Sequence, residues 1–433
     1  PFIAVPDNFP KTINFLDLGA LPNDYTQHAA WHNGGLLNST LNSLSPGDTL
    51  IIPEGIFHVM GGILVTTRLR NNTIRLDGTL FFSRDIYGWP RTGDGKNAPV
   101  LECLHFKAGA DNVVFTSNGA GTVQGNGRWW WGFPGIGYLE RLENRPKLFR
   151  MDNMSTSVLL EKWHFFQSPY WTVSVEVHGL EIRDCSIVNR RSPRARDHNI
   201  YEMTAFNTDG FDVRGRNIWI HHCRVWNQDD TFCVKDNTQD VLIEHVTASG
   251  VGLTIGSIAS HVRNVTFRNL RMKRTYMGIY MKFRGPGLIE DVLYENIVME
   301  GVQRYGVWIG PAQQSDSKEI CAARPCSICW PLLPGANCYS VADATFRNVM
   351  LRNITIASPF GYAGVILGNG GSPMKNITFE DVLVIKPKMW NRDYLRCKGV
   401  ESGVATGNTY PVPYCFKDLT TRKGGVAALT SIH

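Results

Sequence analysis

One short alternating pattern recurs along the chain, and this repeat limits the possible folds more than any other feature. Each copy begins with Asn, Asp or Gly and continues with apolar residues at alternate positions. Copies begin at Gly179, Asn217, Asp240, Asn264, Asp291, Asn348 and Asn376, with a weaker copy at Ser157, and most successive copies lie 22–28 residues apart. A period of two predicts a β-strand with one buried face. A single strand cannot bury that face alone, so the series predicts a solenoid whose coils cover each other.

A second series of apolar segments runs beside the first at a similar step. It comprises GFDV, DTFCV, GLTIG, GIYMK, GVWIG and GVILG, which begin at Gly210, Asp230, Gly252, Gly278, Gly306 and Gly364. We therefore predict parallel strands stacked about 4.8 Å apart, in a single all-β domain over residues 1–433. The longer steps predict loop insertions near 188–206 and 311–345. Leucine-rich repeats, the competing repeat fold, would need a leucine spacing that this sequence lacks.

Three aspartates form a candidate catalytic cluster in this arrangement. Asp209 ends one rung of the second series in NTDG, and Asp229 and Asp230 end the next rung in NQDD. Parallel stacking would bring the three carboxylates together at one edge of one sheet. Crowded carboxylates cannot all ionise freely, so the pKa of one is raised and a proton donor stands beside bases. This division of roles suits the hydrolysis of a glycosidic bond, whereas the simpler interpretation of each motif is a polar turn.

Composition favours a secreted, extracellular protein and excludes several classes of partner. The chain has ten Cys and six N-x-S/T sequons, at Asn38, Asn71, Asn153, Asn264, Asn353 and Asn376, a combination typical of secreted proteins with disulfides. The start at Pro1 without Met favours a processed N-terminus.

Net charge is 44 − 38 = +6 without a basic stripe, so we predict no nucleic-acid partner. No apolar run is long enough to span a bilayer, so we predict no membrane partner.

Several motifs resemble the polygalacturonase family, glycoside hydrolase family 28. NTDG is followed one coil later by NQDD, then by SGVGLTIGS and GIYMKF. Upstream, the resemblance includes GTVQGNGRWWWG (121–132), RPKLFRMDN (145–153) and QSPYWTV (167–173). The resemblance implies a right-handed parallel β-helix of the pectin-lyase type. It also implies an enzyme that hydrolyses O-glycosyl bonds of a plant cell-wall polysaccharide.

The resemblance assigns a role to each of the acids. The Asp of NTDG and the second Asp of the pair activate water in this family, which makes Asp209 and Asp230 the base pair. The first Asp of the pair, Asp229, protonates the leaving oxygen. Inversion of the anomeric configuration is implied, with acid and base about 6.5–9.5 Å apart, and neither a metal nor another cofactor is required. Asn207 of NTDG is carried over as a substrate-binding residue.

The chain departs from the family pattern around these acids. Val251 replaces the His of Gly-His-Gly, and in Arg-Ile-Lys the Arg is replaced by Tyr280 while Lys282 is kept. A phenol cannot replace the bidentate contact of Arg with a galacturonate carboxylate. KFRGPGLIEDVLYENI and the CAARPCSICWP segment resemble a divergent branch that contains fungal exo-rhamnogalacturonases and α-L-rhamnosidases. In such an enzyme Lys282 would bind an acidic sugar, and Tyr280 and Trp308 would offer rhamnose an apolar face.

Cysteine spacing predicts a stapled insertion after the GVWIG rung. The cluster comprises Cys321, Cys326, Cys329 and Cys338. Two disulfides are expected there in a secreted chain, and a zinc site is the alternative. This loop would wall off one end of the cleft, which predicts exo action. A further disulfide is predicted between Cys397 and Cys415, and Cys233 is predicted to point inward in the register of Val213 and Ile255.

We therefore predict a secreted, monomeric, exo-acting glycoside hydrolase whose partner is a pectic polysaccharide, with rhamnogalacturonan or another rhamnose-containing chain as substrate. Three alternatives remain. The first is a polygalacturonase proper. The second is a polysaccharide lyase, in which clustered Asp side chains could hold Ca²⁺. The third is a catalytically silent carbohydrate-binding relative, although a pure binder gains nothing from crowding three carboxylates.

Overall fold

Two compact units make up the chain, residues 1–255 and 256–433. They are seen in a computed structural model that describes residues 9–95, 98–132, 144–199, 201–312, 326–329, 338–387 and 395–421. Each unit is built almost entirely of parallel β-strands. The single domain expected over residues 1–433 stays a prediction. Within the described residues, no helix combines the length and the apolar character needed to cross a membrane.

Within its described residues, the first unit consists of β-strands, one long helix and two 3₁₀ turns. Its helix is α1 (Gln27–Ser43), and its turns are Gly127–Trp129 and Glu202–Ala205. Its strands are β1 (Thr12–Asn14), β2 (Thr49–Ile52), β3 (Ile56–Val59), β4 (Ile63–Val65), β5 (Leu69–Arg70), β6 (Thr73–Leu76), β7 (Thr79–Phe82), β8 (Leu104–Phe106), β9 (Ala110–Thr116), β10 (Thr122–Gln124), β11 (Phe149–Glu161), β12 (His164–Phe166), β13 (Val173–Arg183), β14 (Ser186–Val188), β15 (Phe211–His221), β16 (Arg224–Trp226), β17 (Phe232–Val234), β18 (Gln239–Glu244), β19 (Thr247–Ser249) and β20 (Val251–Ile258), the last of which spans the division between the units.

Three ladders of parallel strands run through the first unit. One joins β4, β8, β11, β13, β15, β17 and β20. A second uses the C-terminal parts of β11, β13 and β15 together with β9 and β18. A third joins β3, β7, β10, β12, β14, β16 and β19. Each coil contributes one strand to each ladder, so the predicted parallel β-helix is confirmed, and crossovers between parallel strands are right-handed.

The second unit repeats the same construction with longer strands. Its elements are β21 (His261–Lys273), β22 (Met277–Phe283), β23 (Gly287–Glu300), β24 (Tyr305–Pro311), the short helix α2 (Cys326–Cys329), β25 (Ala344–Ala357), β26 (Tyr362–Leu367), β27 (Lys375–Ile385), β28 (Leu395–Lys398), β29 (Gly403–Gly407) and β30 (Lys417–Thr420). One parallel ladder joins β21, β23, β25, β27, β29 and β30. Another joins β22, β24, β26 and β28.

Backbone conformation explains why each repeat begins with Asn, Asp or Gly. The first residue of every copy has a positive φ, from +51° at Ser157 and +57° at Asn217 to +75° at Gly179. This left-handed conformation turns the chain from one ladder into the next, and Gly, Asn and Asp adopt it at the lowest cost. The apolar positions that follow are in register from coil to coil, as in the pairing of Val265 with Val292.

Aromatic side chains fill much of the core of the first unit. The rings of Phe106, Phe115, Phe149 and Trp163 pack edge to face or tilted, with centroid distances between 5.1 and 6.1 Å. Each of these side chains is at most 2% exposed. Such pairs add about 0.5–1.5 kcal/mol each beyond the burial of their area, so the stack makes this part of the β-helix rigid.

The loop insertions predicted near 188–206 and 311–345 stay predictions. Residues 189–199 form a loop without strands, followed by the 3₁₀ turn at Glu202–Ala205. Within 311–345, residues 313–325 and 330–337 lie outside the described residues. Disulfides Cys326–Cys338 and Cys397–Cys415 are present, so the pairing predicted for the C-terminal region is confirmed. The second disulfide predicted in the cysteine cluster would involve Cys321, which lies outside the described residues, so it stays a prediction.

An asparagine ladder runs along the second unit and leads to a stability prediction. Nδ2 of Asn353 donates to Oδ1 of Asn296 at 2.8 Å, and Nδ2 of Asn296 donates to Oδ1 of Asn269 at 3.1 Å. All three have φ between +52° and +57°. We expect Asn296→Ala to lower the free energy of unfolding by about 1–3 kcal/mol, because it removes two hydrogen bonds and places Ala in a left-handed conformation.

Thermal denaturation of both Ala and Gly variants at position 296 would check this prediction. Asn296→Gly removes the same two hydrogen bonds but tolerates the positive φ. It should therefore be less destabilised than Asn296→Ala. Equal melting temperatures for Asn296→Ala and the wild type would show that the ladder contributes nothing measurable.

Candidate active site

Asp209 and Asp230 lie next to each other where neighbouring coils enter the same ladder. The backbone N–H of Gly210 donates to the carbonyl of Asp230 at 2.8 Å, and strands β15 and β17 pair directly afterwards. A Cβ on Gly210 would lie 2.2 Å from the carbonyl oxygen of Thr231, so the close approach of the two coils requires glycine here. Stacking of coils therefore superimposes the NTDG and NQDD motifs, as the repeat predicts.

The acid cluster is compact and almost completely buried. Asp209, Asp229 and Asp230 are only 4%, 6% and 3% exposed. One carboxylate oxygen each from Asp209 and Asp230 lies within 4.8 Å of the other. Thr254 on the following coil donates its hydroxyl to Oδ1 of Asp230 at 3.0 Å. Burial at this distance makes the ionisation of one carboxyl group depend strongly on its neighbours.

Asp229 is held by two backbone donors. Its Oδ1 accepts the N–H of Asp230 at 2.8 Å, and its Oδ2 accepts the N–H of Asn207 at 3.1 Å. Asn207 has a φ of +56°, a conformation that Asn tolerates better than most residues. The predicted substrate-binding residue Asn207 thus orients Asp229 through its backbone. Two N–H donors fix the direction of the Asp229 carboxyl group.

The environment of Asp209 favours the protonated form of its carboxyl group. Burial raises the pKa of Asp209 well above its usual range, and the charges of Asp212 and Asp229 add to the increase. Its Oδ1 is buried and has no hydrogen-bond partner among the residues that the structure describes. Burial, together with neighbouring charges, thus raises the pKa of Asp209, whereas the family resemblance gives the donor role to Asp229.

An ion pair beside the acids was missed by sequence reasoning. Nζ of Lys235 lies 3.2 Å from Oδ1 of Asp212 and 4.0 Å from Oδ2 of Asp209. Burial alone would lower the pKa of Lys235, but the charges of Asp212 and Asp209 raise it well above its ordinary value. Burial raises the pKa of Asp212, against the effect of Lys235. The sequence did carry one signal for this ion pair. In GFDV, Asp212 stands at an outward position between two inward-facing apolar residues, Phe211 and Val213.

Trp171 connects this ion pair to a second lysine. Its ring centroid lies 4.3 Å from Nζ of Lys235 and 4.0 Å from Nζ of Lys147, which also donates to the hydroxyl of Ser174 at 3.3 Å. Burial lowers the pKa of Lys147. The two ammonium groups give this part of the first unit a positive character that partly balances the acids.

A histidine from the 188–206 loop reaches the residue before Asp229. Nδ1 of His198 lies 2.9 Å from Oε1 of Gln228, and its Nε2 lies 2.8 Å from Oγ of Ser249. The imidazole also stacks on Trp226 with a centroid distance of 4.9 Å. Burial lowers the pKa of His198 to about 4, so this ring is neutral near pH 7. His198 thus anchors the loop to Gln228 and Ser249.

The predicted orientation of Cys233 was wrong by one position. Cys233 pairs with Asp212 and Thr254, whereas Val234 pairs with Val213 and Ile255. The thiol is fully buried, as predicted, but it lies on the side of the sheet that carries the acids. Its Sγ is within 4.8 Å of carboxylate oxygens of both Asp209 and Asp230. The predicted register was wrong because the sequence does not reveal the one-residue offset of β17 relative to β15.

In the second unit, Lys282, Tyr280 and Trp308 lie side by side. Tyr280 and Trp308 occupy paired positions on β22 and β24, and Nζ of Lys282 lies 4.2 Å from the Tyr280 ring centroid. Both aromatic side chains are 0% exposed. The Tyr280 hydroxyl hydrogen-bonds Ser327 of α2, and Nε1 of Trp308 donates to the carbonyl of Pro311 at 3.0 Å. Neither ring presents a face to a sugar, so we assign both to packing.

Several known proteins resemble this chain in sequence. Residues 48–406 match the family model described as Glycosyl hydrolases family 28. A probable endopolygalacturonase of Aspergillus fumigatus is 27% identical over 71% of this chain and 71% of its own length. The alpha-L-rhamnosidase rgxB of Aspergillus niger is 27% identical over 56% of each chain. A putative galacturan 1,4-alpha-galacturonidase A of Aspergillus niger is 24% identical over 78% of this chain and 81% of its own.

Solved structures show the same fold at low sequence identity. The endo-xylogalacturonan hydrolase from Aspergillus tubingensis has a TM-score of 0.65 at 15% identity and covers 94% of this chain and 99% of its own. The hyperthermoactive exopolygalacturonase from Thermotoga maritima has a TM-score of 0.62 at 19% identity, with 91% of each chain covered.

Proposed function

This chain belongs to glycosyl hydrolase family 28, and from that premise we propose that it hydrolyses glycosidic bonds of a pectic polysaccharide with inversion of configuration. The observation that carries this proposal is the stacking of Asp209 on Asp230, with Asp229 held beside them by two backbone donors. The intact acid cluster favours an enzyme over a silent carbohydrate-binding relative.

In the proposed reaction each acid has one task. Asp209 and Asp230 take a proton from a water molecule, whose oxygen attacks the anomeric carbon. Asp229 gives a proton to the glycosidic oxygen, so that the sugar leaves as a neutral alcohol. Attack from the face opposite the leaving group inverts the anomeric configuration. The backbone N–H groups of Asp230 and Asn207 hold the Asp229 carboxyl group in a fixed direction, which orients its proton toward the leaving oxygen.

We propose a substrate that alternates neutral and acidic sugars, such as the rhamnogalacturonan part of pectin. Tyr280 occupies the position of the Arg that would grip a galacturonate carboxylate, which disfavours an ordinary polygalacturonase. Lys147 and Lys235 beside Trp171 supply positive charge close to the acids, and Lys282 stays a predicted sugar contact. The similarity to an α-L-rhamnosidase supports the rhamnose part of the proposal.

The remaining features are proposed with the same enzyme. The ten cysteines, two disulfides among the described residues and six sequons support secretion. Exo action is proposed from the cysteine-stapled insertion, although the relatives include both a probable endopolygalacturonase and a probable exopolygalacturonase. We propose a monomer and a reaction that needs no cofactor.

A substrate screen with product analysis tests this function. The purified protein would be incubated with polygalacturonan, rhamnogalacturonan, arabinogalactan-type gums and aryl α-L-rhamnosides. We expect release of reducing sugar from rhamnogalacturonan or the rhamnosides, with an inverted anomeric signal in NMR spectra recorded immediately after cleavage. Ultraviolet absorbance from a new double bond would instead identify a lyase, and hydrolysis of polygalacturonan alone would replace the rhamnose proposal by a polygalacturonase.

A further inference from the structure

Cys233 lies against the acid cluster, yet the proposed hydrolysis gives it no task. Its Sγ and one carboxylate oxygen each from Asp209 and Asp230 all lie within 4.8 Å of one another. Cys233 is 0% exposed, and the two acids are 4% and 3% exposed. Within the described residues, this is the group of His, Cys, Asp and Glu side chains whose donor atoms are close enough to share one metal ion.

A second observation indicates that a ligand is missing from this group. Oδ1 of Asp209 is buried without a hydrogen-bond partner among the described residues, and Oδ2 of Asp209 is 4.0 Å from Nζ of Lys235. A buried polar atom without a partner is costly. Lys235 is closer to Asp212, at 3.2 Å, than to Asp209. A cation bound through Oδ1 of Asp209 would satisfy this oxygen.

We propose that Asp209, Asp230 and Cys233 bind a thiophilic divalent cation, Zn²⁺ or Cd²⁺, and that this cation inhibits the enzyme. Tetrahedral zinc binds oxygen and sulfur at about 2.0–2.3 Å, which places its ligand atoms roughly 3.5 Å apart. The donor atoms of this group are at most 4.8 Å apart. They would therefore have to approach each other by no more than roughly 1.3 Å to reach that spacing.

The donor set selects the kind of cation. A thiolate favours zinc and other soft ions, whereas Mg²⁺ and Ca²⁺ prefer sites built from oxygen alone. The Cys233 thiol loses its proton to solvent when the metal–sulfur bond forms, any proton held by Asp209 is released in the same step, and no electron transfer is involved. Three protein donors leave a fourth position of the tetrahedron for water.

Inhibition follows from the position of the site and rests on the proposed function. An ion held between Asp209 and Asp230 occupies both carboxylates that would take a proton from the attacking water. It also fixes their charge, so neither can act as a base. Binding of the cation, in contrast, depends only on the geometry of the three side chains and can be measured without any substrate.

Titration of the full-length protein with Cd²⁺ tests the binding. We expect a sulfur-to-cadmium charge-transfer absorption in the ultraviolet that saturates at one ion per chain. Cys233→Ala should abolish this absorption. Cys223→Ala, which removes another buried thiol of the first unit, should leave it unchanged. Persistence of the absorption in Cys233→Ala, or its absence in the wild type, would overturn the site.

Hydrolysis rates at increasing Zn²⁺ concentration test whether the bound cation inhibits the enzyme. Each variant's rate is normalised to its own rate without zinc. We expect Cys233→Ser to need at least about tenfold more Zn²⁺ for half inhibition than the wild type, and Mg²⁺ to have no effect. Equal zinc sensitivity of wild type and Cys233→Ser would refute the inhibitory role. Failure of the proposed function would look different, because the wild type would then show no hydrolysis before any zinc is added.

Discussion

Asp229→Asn is expected to reduce polysaccharide hydrolysis by about 10²–10⁴-fold, the range that general acid catalysis contributes, while the protein stays folded. The carboxamide can still accept one of the two backbone hydrogen bonds, from Asn207 or from Asp230, that now hold the carboxylate. It cannot deliver a proton to the leaving oxygen. Initial rates on the true substrate and a thermal melt of the same preparation would measure both effects.

Substrates with different leaving groups separate the acid from the base. An aryl glycoside whose phenol leaves without protonation should restore much of the activity of Asp229→Asn, because this substrate does not need the acid. Asp209→Asn is the matched control, since the same change at the base should not be rescued by a better leaving group. The two variants carry the same chemical substitution in the same cluster.

The raised pKa of Asp209 makes this comparison decisive. If Asp209→Asn is the variant rescued by the activated aryl glycoside, then Asp209 is the proton donor and Asp229 belongs to the base. That result would agree with the resting structure, in which burial keeps the proton on Asp209, and would contradict the roles implied by the family resemblance. Near-normal turnover by Asp229→Asn on the polysaccharide would exclude Asp229 from either role.

Lys235→Met is expected to cost about 3–5 kcal/mol of stability near neutral pH, the usual effect of removing one partner of a buried ion pair. The Lys235 ammonium is within 4.0 Å of both Asp212 and Asp209, and these carboxyl groups are at most 4% exposed. Their charge would then lie in a poorly solvated site without this cation. Chemical denaturation of wild type and variant at several pH values measures the loss.

The sign of the pH dependence follows from the carboxyl groups. Burial raises the pKa of both Asp209 and Asp212 above the values that they have in the unfolded chain. The folded protein therefore keeps these protons to a higher pH than the unfolded chain does. The stability that results is present below about pH 4 and is lost as the pH rises through the folded pKa values. Without Lys235 those pKa values rise further, and the stability difference from wild type should grow from about pH 4 to pH 7.

Two variants control this experiment. Lys235→Arg keeps the positive charge and should retain most of the stability. In Lys235→Met/Asp212→Asn the neutral amide removes one of the stranded charges, so part of the stability lost in the single variant should return. A stability difference that is constant with pH would show that Lys235 acts through packing against Trp171 and not through its charge.

The repeat in the sequence was sufficient to predict the architecture. Asn, Asp and Gly recur because the turn between two ladders requires a left-handed residue, as at Asn217 and Asp291, and alternate apolar residues recur because each coil buries one face. Both causes act within a few residues of chain, so both leave a local pattern. The long helix α1 left no such pattern. It contains Gly34 and Gly35, which are poor helix formers, and it forms because Ala29, Ala30 and Leu37 are buried.

The acid cluster could be predicted because a regular repeat converts sequence distance into position. Asp209 and Asp230 are 21 positions apart in the sequence, about one coil, so their proximity follows from the period alone. The neighbours that set their protonation do not follow from it. Lys235, Trp171 and Lys147 reach the site from three coils, by side chains whose lengths and directions no period describes.

The sequence by itself determined the parallel β-helix, the meeting of the three aspartates and the family to which the chain belongs, because these depend on the period and on motifs that are local in the chain. Only the tertiary structure shows that burial raises the pKa of Asp209, which face Cys233 occupies, and that Tyr280 and Trp308 are covered. Those outcomes depend on desolvation and on a one-residue offset between coils. Both are properties of the packed chain, because they arise only when distant segments exclude water from each other.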